Sequence, residues 1–405
     1  MAALITDLDL TSLAEPVFVD ARYTGLFITV RWGTLPLGVL EIPLEVDRRL
    51  ISPQWLHTQA LEKFGWQVWQ HYLAHTLEYH NRNKEVELLP ISVVVCTRDR
   101  ALSLERTLKS LARQDYPDFE VIVVDNCPLD EGVKQVVEKN GFRYSFQERP
   151  GLDWARNLGI QEARHAIVAF IDDDALAAPG WLYGLAYGFS DPEVVAVTGL
   201  VLPAELETPA QIEFESYGGM SKGFTSFTIR KEKVPGQAML WASGWGVGTN
   251  MAFRKELFEA IGRFDVTLDV GTPTGGGGDI EYFFRCVAAG YTLRYEPAAL
   301  VRHIHRRDRV SLDRQIFQNG RSFPAYLMTI TRNNPELRLM VFRFGLHNWL
   351  WSWLIKRWIT GKMRRDHLTA RFAGIELRGA LSSLGAYRRS RRLGSDDQND
   401  LKETG

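Results

Sequence analysis

The pattern of apolar and polar positions changes near residue 88. Before that point, apolar stretches at 26–32 and 39–44 flank a glycine-bounded segment, a pattern that predicts a β-hairpin. A helix should follow it, because Ser52 suits an N-cap, Pro53 suits the first helical position, and apolar residues then recur at helical spacing.

After residue 88, apolar runs of strand length alternate with stretches that have helical periodicity. Strands are predicted at 91–96, 119–125, 142–147, 166–172 and 194–198. Helices are predicted at 102–114, 131–139 and 153–164, and another is opened by Pro179. This alternation is typical of the α/β class, with a doubly wound, mostly parallel sheet.

The strand at 166–172 ends in three consecutive acids, Asp172, Asp173 and Asp174. Ligands of open α/β sheets bind at the carboxyl ends of the strands. Since alternate side chains of an extended segment point the same way, Asp172 and Asp174 are candidates to share one divalent cation. Oxygen ligands suit Mn²⁺ or Mg²⁺. The alternative is a solvated turn in which Asp174 caps the next segment.

Composition removes several other classes. The chain has 405 residues, of which 45% are hydrophobic and 24% charged, and its net charge of -1 predicts no general attraction to nucleic acid. The three cysteines lack metal-ligand spacing. No apolar run approaches the roughly 20 residues that span a bilayer, and the first residues do not resemble a secretory signal, so a cytoplasmic location is the default expectation. The turn at 97–100 lacks the glycine patterns of dinucleotide and P-loop folds.

Four motifs follow one another at the predicted strand ends and one helix start. They are the segments 93–100 and 121–126, the acid triplet, and Gly278-Asp279-Ile280-Glu281 followed by Arg285. In this order they resemble the inverting family 2 glycosyltransferases of the GT-A fold. The resemblance implies transfer of a sugar from a nucleoside diphosphate sugar, with a UDP-sugar favoured, to a hydroxyl group of a glycan or lipid-linked acceptor.

The resemblance also implies a set of site residues. Those implied to bind the nucleotide sugar are Thr97, Arg98, Asp99, Asp125, Arg156, Asp172, Asp173 and Trp245. The metal would be held by Asp172 and Asp174 together with His303, although His305 lies on the same side of an extended strand and remains an alternative. Asp125 could instead be a strand-end turn residue, Arg156 a surface arginine, and Trp245 a core aromatic.

Inversion by a single displacement needs a base for the acceptor hydroxyl. We favour Asp279, which follows the glycine-rich loop 271–278; this loop is expected to be mobile and to close over the substrates. The family often carries a second acid directly before this position, where this chain has Gly278. Glu281 therefore remains a rival base, and Asp279 could also be a plain N-cap.

The sequence predicts four regions. These are an accessory module at 1–85 with a polar linker at 80–85, a catalytic domain at 88–305, a helical region at 306–394, and a disordered tail at 395–405. Tryptophans and cations are interleaved at 339–358, which predicts a helix at an anionic membrane surface, peripheral to the inner face of the cell membrane, or else a helix packed on the catalytic domain. Alternative functions are a non-catalytic sugar-nucleotide-binding or scaffold subunit and, less favoured, a sugar nucleotidyltransferase.

Overall fold

The computed structural model describes residues 2–12, 15–45, 49–79 and 88–403. The predicted linker at 80–85 lies outside the described residues. The elements before residue 80 are β1 (Ala3–Asp9), β2 (Val17–Phe18), β3 (Gly25–Trp32), β4 (Leu35–Pro43), β5 (Leu50–Ile51) and α1 (Pro53–Tyr79).

The predicted hairpin is confirmed, because β3 and β4 pair antiparallel. Its turn is shorter than the glycine spacing suggests: Gly33 has a φ of 62° and the second strand already begins at Leu35. The predicted cap is also confirmed, since the Ser52 hydroxyl accepts a hydrogen bond of 3.2 Å from the backbone N–H of Trp55. This first unit touches the rest of the chain through Arg302, which donates to the Asp7 carboxylate at 2.6 Å.

One large sheet organises the remainder. Its strands among the described residues are β6 (Ile91–Thr97), β7 (Phe119–Asn126), β8 (Arg143–Gln147), β9 (Ile167–Asp172), β10 (Ala175–Ala177), β11 (Val194–Pro203), β12 (Phe227–Ile229), β13 (Asn250–Arg254) and β14 (Thr292–His303). The order is β10-β14-β11-β13-β9-β6-β7-β8, and β12 pairs with the N-terminal part of β14. Strands β10, β12 and β13 run against the other six, so the prediction of a mostly parallel sheet is confirmed.

Helices cover both faces of this sheet. They are α2 (Ala101–Leu111), α3 (Gly132–Lys139), α4 (Leu152–Glu162), α5 (Trp181–Gly188), α6 (Pro209–Ser216), α7 (Glu256–Ala260) and α8 (Gly278–Ala288). Along β6, Val94 and Cys96 join one apolar cluster, whereas Val93 and Val95 join the cluster on the opposite face. Both faces being buried explains why the strands appear in the sequence as uninterrupted apolar runs.

The C-terminal region is helical, as predicted. It consists of α9 (Arg309–Asn333), α10 (Arg338–Arg343), a π-helical segment (Phe344–Ile355), α11 (Lys356–Met363) and α12 (His367–Glu403). Phe344, Trp349 and Leu354 are buried in the same cluster as the sheet residues, so these helices pack on the α/β domain. Helix α12 continues to Glu403 across the stretch for which the sequence predicts disorder. None of the helices in the described part of the chain has the length and apolar character needed to cross a bilayer.

Candidate active site

The three acids lie where β9 ends, and the structure separates their roles. Asp172 is 30% exposed through its side chain and accepts a hydrogen bond from the hydroxyl of Thr249. Asp173 and Asp174 are both buried. Asp172 is therefore the most accessible of the three acids, and its two neighbours are buried in the cavity wall.

Asp173 is held by two residues of the β6–α2 turn. Its carboxylate accepts from the Thr97 hydroxyl at 2.6 Å and from the Arg100 guanidinium at 3.0 Å. Burial, together with the adjacent Asp174 charge, raises the pKa of Asp173 to about 6. The contacts tie the acid triplet to the turn after β6, so the structure gives Asp173 a supporting position behind Asp172.

Asp172, Asp174 and His303 offer one ligand atom each within 4.8 Å of one another. The Nε2 atom of His303 lies 3.1 Å from Oδ1 of Asp174, because β10, directly after the acids, pairs with the end of β14. His305 points elsewhere, since its Nε2 lies 3.1 Å from a carboxylate oxygen of Glu215. Two carboxylates and an imidazole suit a divalent ion such as Mn²⁺, so the residues fit the predicted metal.

The electrostatics of this group follow from burial and charge. Burial opposes the charged form of Asp174, but His303, Arg306 and Arg100 outweigh it and lower the pKa of Asp174. Burial likewise opposes protonation of His303, yet Asp174 raises the pKa of His303 above its usual value. Arg306 was missed by the sequence argument, and it lies 3.3 Å from Asp174.

Arg156 lies in the cavity wall rather than on the surface. Its guanidinium is buried, lies 3.0 Å from Oδ1 of Asp153, and lies 4.0 Å from Oδ1 of Asp172. Burial raises the pKa of Asp153 to about 7 and that of the neighbouring Asp269 well above its usual value. A buried arginine among three acids is a fixed positive charge beside the candidate metal group.

Asp279 is the second residue of α8 and reaches the same cavity. Its Oδ2 accepts a hydrogen bond of 2.8 Å from the backbone N–H of Gly248, and its Oδ1 accepts from its neighbour Ile280 at 2.9 Å. Lys222 lies close enough for its charge to interact with that of Asp279, and burial lowers the pKa of this lysine. Asp279 thus lies in the first turn of its helix and faces the site, and the N-cap position is Gly277.

Glu281, the rival base, is placed elsewhere by the structure. It is buried and pairs with Arg285, with a closest approach of 2.7 Å. It is two positions from Asp279 on α8, so the two side chains leave the helix in different directions. Among the described residues lining the cavity, Asp279 is present and Glu281 is not.

Three predicted nucleotide residues lie outside the cavity. Asp125 is fully buried, and its neighbour Asn126 lines the cavity instead. Asp99 accepts a hydrogen bond of 2.9 Å from the backbone N–H of Leu129. Trp245 is buried in the core beneath the sheet, because the 3₁₀ segment before it directs the ring inward.

The open space at the sheet edge is one cavity of about 990 Å³. Its polar end contains Thr97, Arg98, Arg156, the acid triplet, Asp279 and His303. The glycine-rich loop forms part of its wall, and that loop is held by Arg321 of α9, which donates to the carbonyl of Pro273 at 3.0 Å. The volume and the mixture of charge types suit a ligand with a charged part and a polar, uncharged part.

Another part of the cavity wall, here called its aromatic end, is rich in aromatic residues. It is lined by Trp241, Phe323, Trp349, Trp353 and Glu376. Trp353 donates its indole N–H to the Glu376 carboxylate at 3.3 Å. Three of these five residues, at 349, 353 and 376, come from the helical region after residue 340, whose contribution to the site the sequence argument did not foresee.

Comparisons with known proteins agree with the motifs. The sequence model described as "Glycosyl transferase family 2" matches residues 92–262. A pre-mycofactocin glycosyltransferase from Mycobacterium tuberculosis (strain H37Rv) is 28% identical over 241 residues, covering 58% of this chain and 47% of that protein. A glucosyl-dolichyl phosphate glucuronosyltransferase from Haloferax volcanii is 30% identical over 201 residues, covering 47% of this chain and 59% of that protein.

A solved structure is similar across more of the chain. It is the mannosyltransferase PcManGT from Pyrobaculum calidifontis, in complex with GDP-Man and Mn²⁺, with 19% identity, a TM-score of 0.46, and coverage of 82% of this chain and 89% of that one. This chain spans about half the length of the curated relatives described above. Residues 92–262 of the chain match glycosyl transferase family 2, in agreement with the resemblance of the motifs.

Proposed function

We propose that this chain is a metal-dependent, inverting glycosyltransferase that takes a sugar from a nucleoside diphosphate sugar and delivers it to a hydroxyl acceptor. The observation that carries the proposal is the meeting of three groups in one cavity. The candidate metal ligands Asp172, Asp174 and His303, the buried Arg156 and the carboxylate of Asp279 all lie in it.

The diphosphate is assigned to the polar end. Asp172, Asp174 and His303 would hold Mn²⁺ or Mg²⁺, which would stabilise negative charge on the departing nucleoside diphosphate. Arg156 adds a planar cation 4.0 Å from Asp172, and a guanidinium can donate two hydrogen bonds to one phosphate group. These charges favour the leaving group in the transition state more than the intact donor.

The nucleoside is assigned to the turn after β6. Thr97 and Arg98 line the cavity there, and Asn126 lines it at the end of the neighbouring strand β7. Arg98 is 45% exposed through its side chain and its Nε lies 3.6 Å from Oδ2 of Asp99, so the exposed part of its guanidinium is available to pack against or pair with a nucleotide. A UDP-sugar is the proposed donor, and the panel of donors described below tests that choice.

Asp279 is the proposed base. It would remove the proton of the acceptor hydroxyl as the oxygen attacks the anomeric carbon, while the bond from that carbon to the diphosphate oxygen breaks. The backbone N–H of Gly248 fixes one carboxylate oxygen, which limits the rotation of the side chain.

The acceptor is assigned to the aromatic end of the cavity. Tryptophan faces pack on the C–H surfaces of sugar rings and on lipid chains, and Trp353 is 41% exposed, whereas Phe323 and Trp349 are buried. The glutamate that Trp353 contacts could accept hydrogen bonds from sugar hydroxyls. A glycan or glycolipid hydroxyl entering from this end would approach Asp279 from the side opposite the acid triplet.

A membrane surface is the proposed location of the acceptor if it is lipid-linked. Leu339, Phe342, Leu346 and Trp351 are all between 48% and 68% exposed, while the intervening Phe344 and Trp349 are buried. Cations at Arg343 and Lys356 flank this exposed apolar strip. Apolar residues bordered by cations suit an anionic lipid surface.

The direct test is release of nucleoside diphosphate from a panel of UDP-, GDP- and dTDP-sugars with Mn²⁺ or Mg²⁺ and with metal removed. Metal-dependent release that depends on the identity of the sugar nucleotide supports the proposal and names the donor. Release of pyrophosphate from a nucleoside triphosphate and a sugar phosphate would favour a nucleotidyltransferase. Donor binding without turnover against any acceptor would favour a non-catalytic subunit.

A further inference from the structure

Gly278, the first residue of α8, is a glycine in a crowded position. A Cβ atom built on it would lie 2.0 Å from Oδ2 of Asp153 and 2.9 Å from Cγ of the same side chain. Gly278 does not have a positive φ, so its backbone would accept a side chain. The space directly before Asp279 is therefore closed to a side chain because a carboxylate from α4 fills it.

Asp153 is 1% exposed, and its two carboxylate oxygens differ. Oδ1 lies 3.0 Å from the Arg156 guanidinium. Oδ2, which faces Gly278, has no hydrogen-bond partner among the described residues. Burying a carboxylate oxygen without a hydrogen-bond partner costs folding free energy. This atom is therefore a candidate to accept a hydrogen bond from a bound ligand.

The position of this oxygen limits what the ligand can be. Asp153, Gly278 and Asp279 all line the cavity. Arg156 bridges Asp153 and Asp172, so Oδ2 lies one guanidinium group away from the candidate metal ligands. In the proposed complex, the part of the donor that lies between the diphosphate and the catalytic base Asp279 is the transferred sugar. The hydroxyl groups of this sugar are hydrogen-bond donors.

We propose that Oδ2 of Asp153 binds a hydroxyl group of the transferred sugar. In this proposal the Asp153 carboxylate, which comes from α4, occupies the space that the side chain of an acid at position 278 would occupy. The assignment rests on the proposed function, because it needs a nucleotide sugar in the cavity. It makes Asp153 a determinant of sugar binding. Its contact with Arg156 is a separate, structural role.

The first experiment separates these two roles by titrating the full chain with a nucleoside diphosphate and with the matching nucleotide sugar, both with Mn²⁺. The variant is D153N, which keeps an oxygen for Arg156 but places an amide donor where the sugar needs an acceptor. We expect affinity for the nucleotide sugar to fall about 10-fold or more while affinity for the nucleoside diphosphate stays within about two-fold. D115N, at an exposed aspartate, is the control for the charge change.

The second experiment moves the acid. G278D alone should lose nucleotide-sugar affinity, because its side chain meets Asp153. D153A/G278D should bind the nucleotide sugar at least about 5-fold more tightly than D153A, because the carboxylate returns to the same space. A purely structural role for Asp153 through Arg156 would not be restored by an acid on α8.

Equal losses for nucleoside diphosphate and nucleotide sugar in D153N, or no loss for either, would overturn the assignment. So would a double variant no better than D153A. Wild-type protein that binds no nucleotide sugar in the panel would overturn the proposed function as well, and this distinguishes the two failures.

Discussion

Oδ1 of Asp174 lies 3.1 Å from Nε2 of His303, although the two residues are 129 positions apart in the chain. The contact exists because β10 and β14 are hydrogen-bonded neighbours, with Ala175 opposite His303. The end of the acid triplet is thereby fixed against the end of the last strand of the domain. The pair supplies two of the three candidate metal ligands, and the third is Asp172.

Replacing His303 should weaken metal binding more than replacing His305. We expect H303Q to lower Mn²⁺ affinity by at least about 10-fold, measured by calorimetry with UDP present. H305Q should have a smaller effect, because the His305 ring contacts Glu215 and the Nδ1 atom of His303 but no carboxylate of the acid triplet. If H305Q lowers Mn²⁺ affinity as much as H303Q or more, His303 is not the metal-binding histidine.

Asp279 should control turnover and not donor binding. D279N should lower the rate of nucleoside diphosphate release by about 10²–10⁴-fold, the usual contribution of a general base, with little change in donor affinity. E281Q should instead lower the free energy of unfolding, because it removes a charge from the buried Glu281–Arg285 pair. The prediction is wrong if the rate of nucleoside diphosphate release, measured per folded molecule, falls as strongly in E281Q as in D279N.

Trp353 should matter for the acceptor alone. We expect W353A to raise the KM for a sugar-based acceptor by about 10-fold, because an indole face that packs on the ring is lost. Hydrolysis of the donor by water should change little in the same variant, since the diphosphate end is untouched. W351A, at an exposed tryptophan outside the cavity lining, is the matched control. Unaltered acceptor kinetics in W353A would place the acceptor elsewhere.

The sequence leads to the same candidate metal group that the structure brings together, because its members lie at strand ends. Asp172 and Asp174 follow an apolar run that can only be a buried strand, and the sheet topology of the class brings such ends together. The residues that the sequence misplaces are those whose position depends on side-chain packing. Trp245 enters the core while Trp241, four positions earlier, lines the cavity.

The aromatic end could not be derived in the same way. Trp349 and Trp353 have the spacing of one helical face, but whether that face meets lipid, a partner or the α/β domain depends on how the C-terminal helices fold back. The structure places both in the cavity wall and leaves Trp351 outward. The sequence does not indicate Asp153 for a related reason. Its contact with Gly278 depends on the position of α4 relative to α8, which only the structure shows.

The exposed apolar strip should determine lipid association. F342S/L346S/W351S should lower binding to vesicles that contain anionic lipid by about 10-fold or more, because each apolar side chain contributes to insertion. Point variants are needed, since deleting the region from residue 337 would remove Phe344 and Leu354 from the core. Unchanged vesicle sedimentation of a folded triple variant would exclude this strip as the lipid contact.

Glu376 should make the protein less stable as the pH rises. Burial raises the pKa of Glu376 to about 7 from an ordinary 4.5, so the folded state holds a proton that the unfolded state has lost. Between these two values the unfolded chain binds fewer protons, and the free energy of unfolding therefore falls with increasing pH. The loss is complete above pH 7 and is at most about 3 kcal/mol.

The variant E376Q carries no charge at any pH and can still accept the Trp353 hydrogen bond. Urea unfolding at pH 5 and pH 8 should show E376Q gaining stability over wild type by about 1–3 kcal/mol as the pH rises. E336Q, at an exposed glutamate, is the control for removal of one negative charge. Stability curves of wild type and E376Q that stay parallel across this range would contradict a buried, proton-holding Glu376.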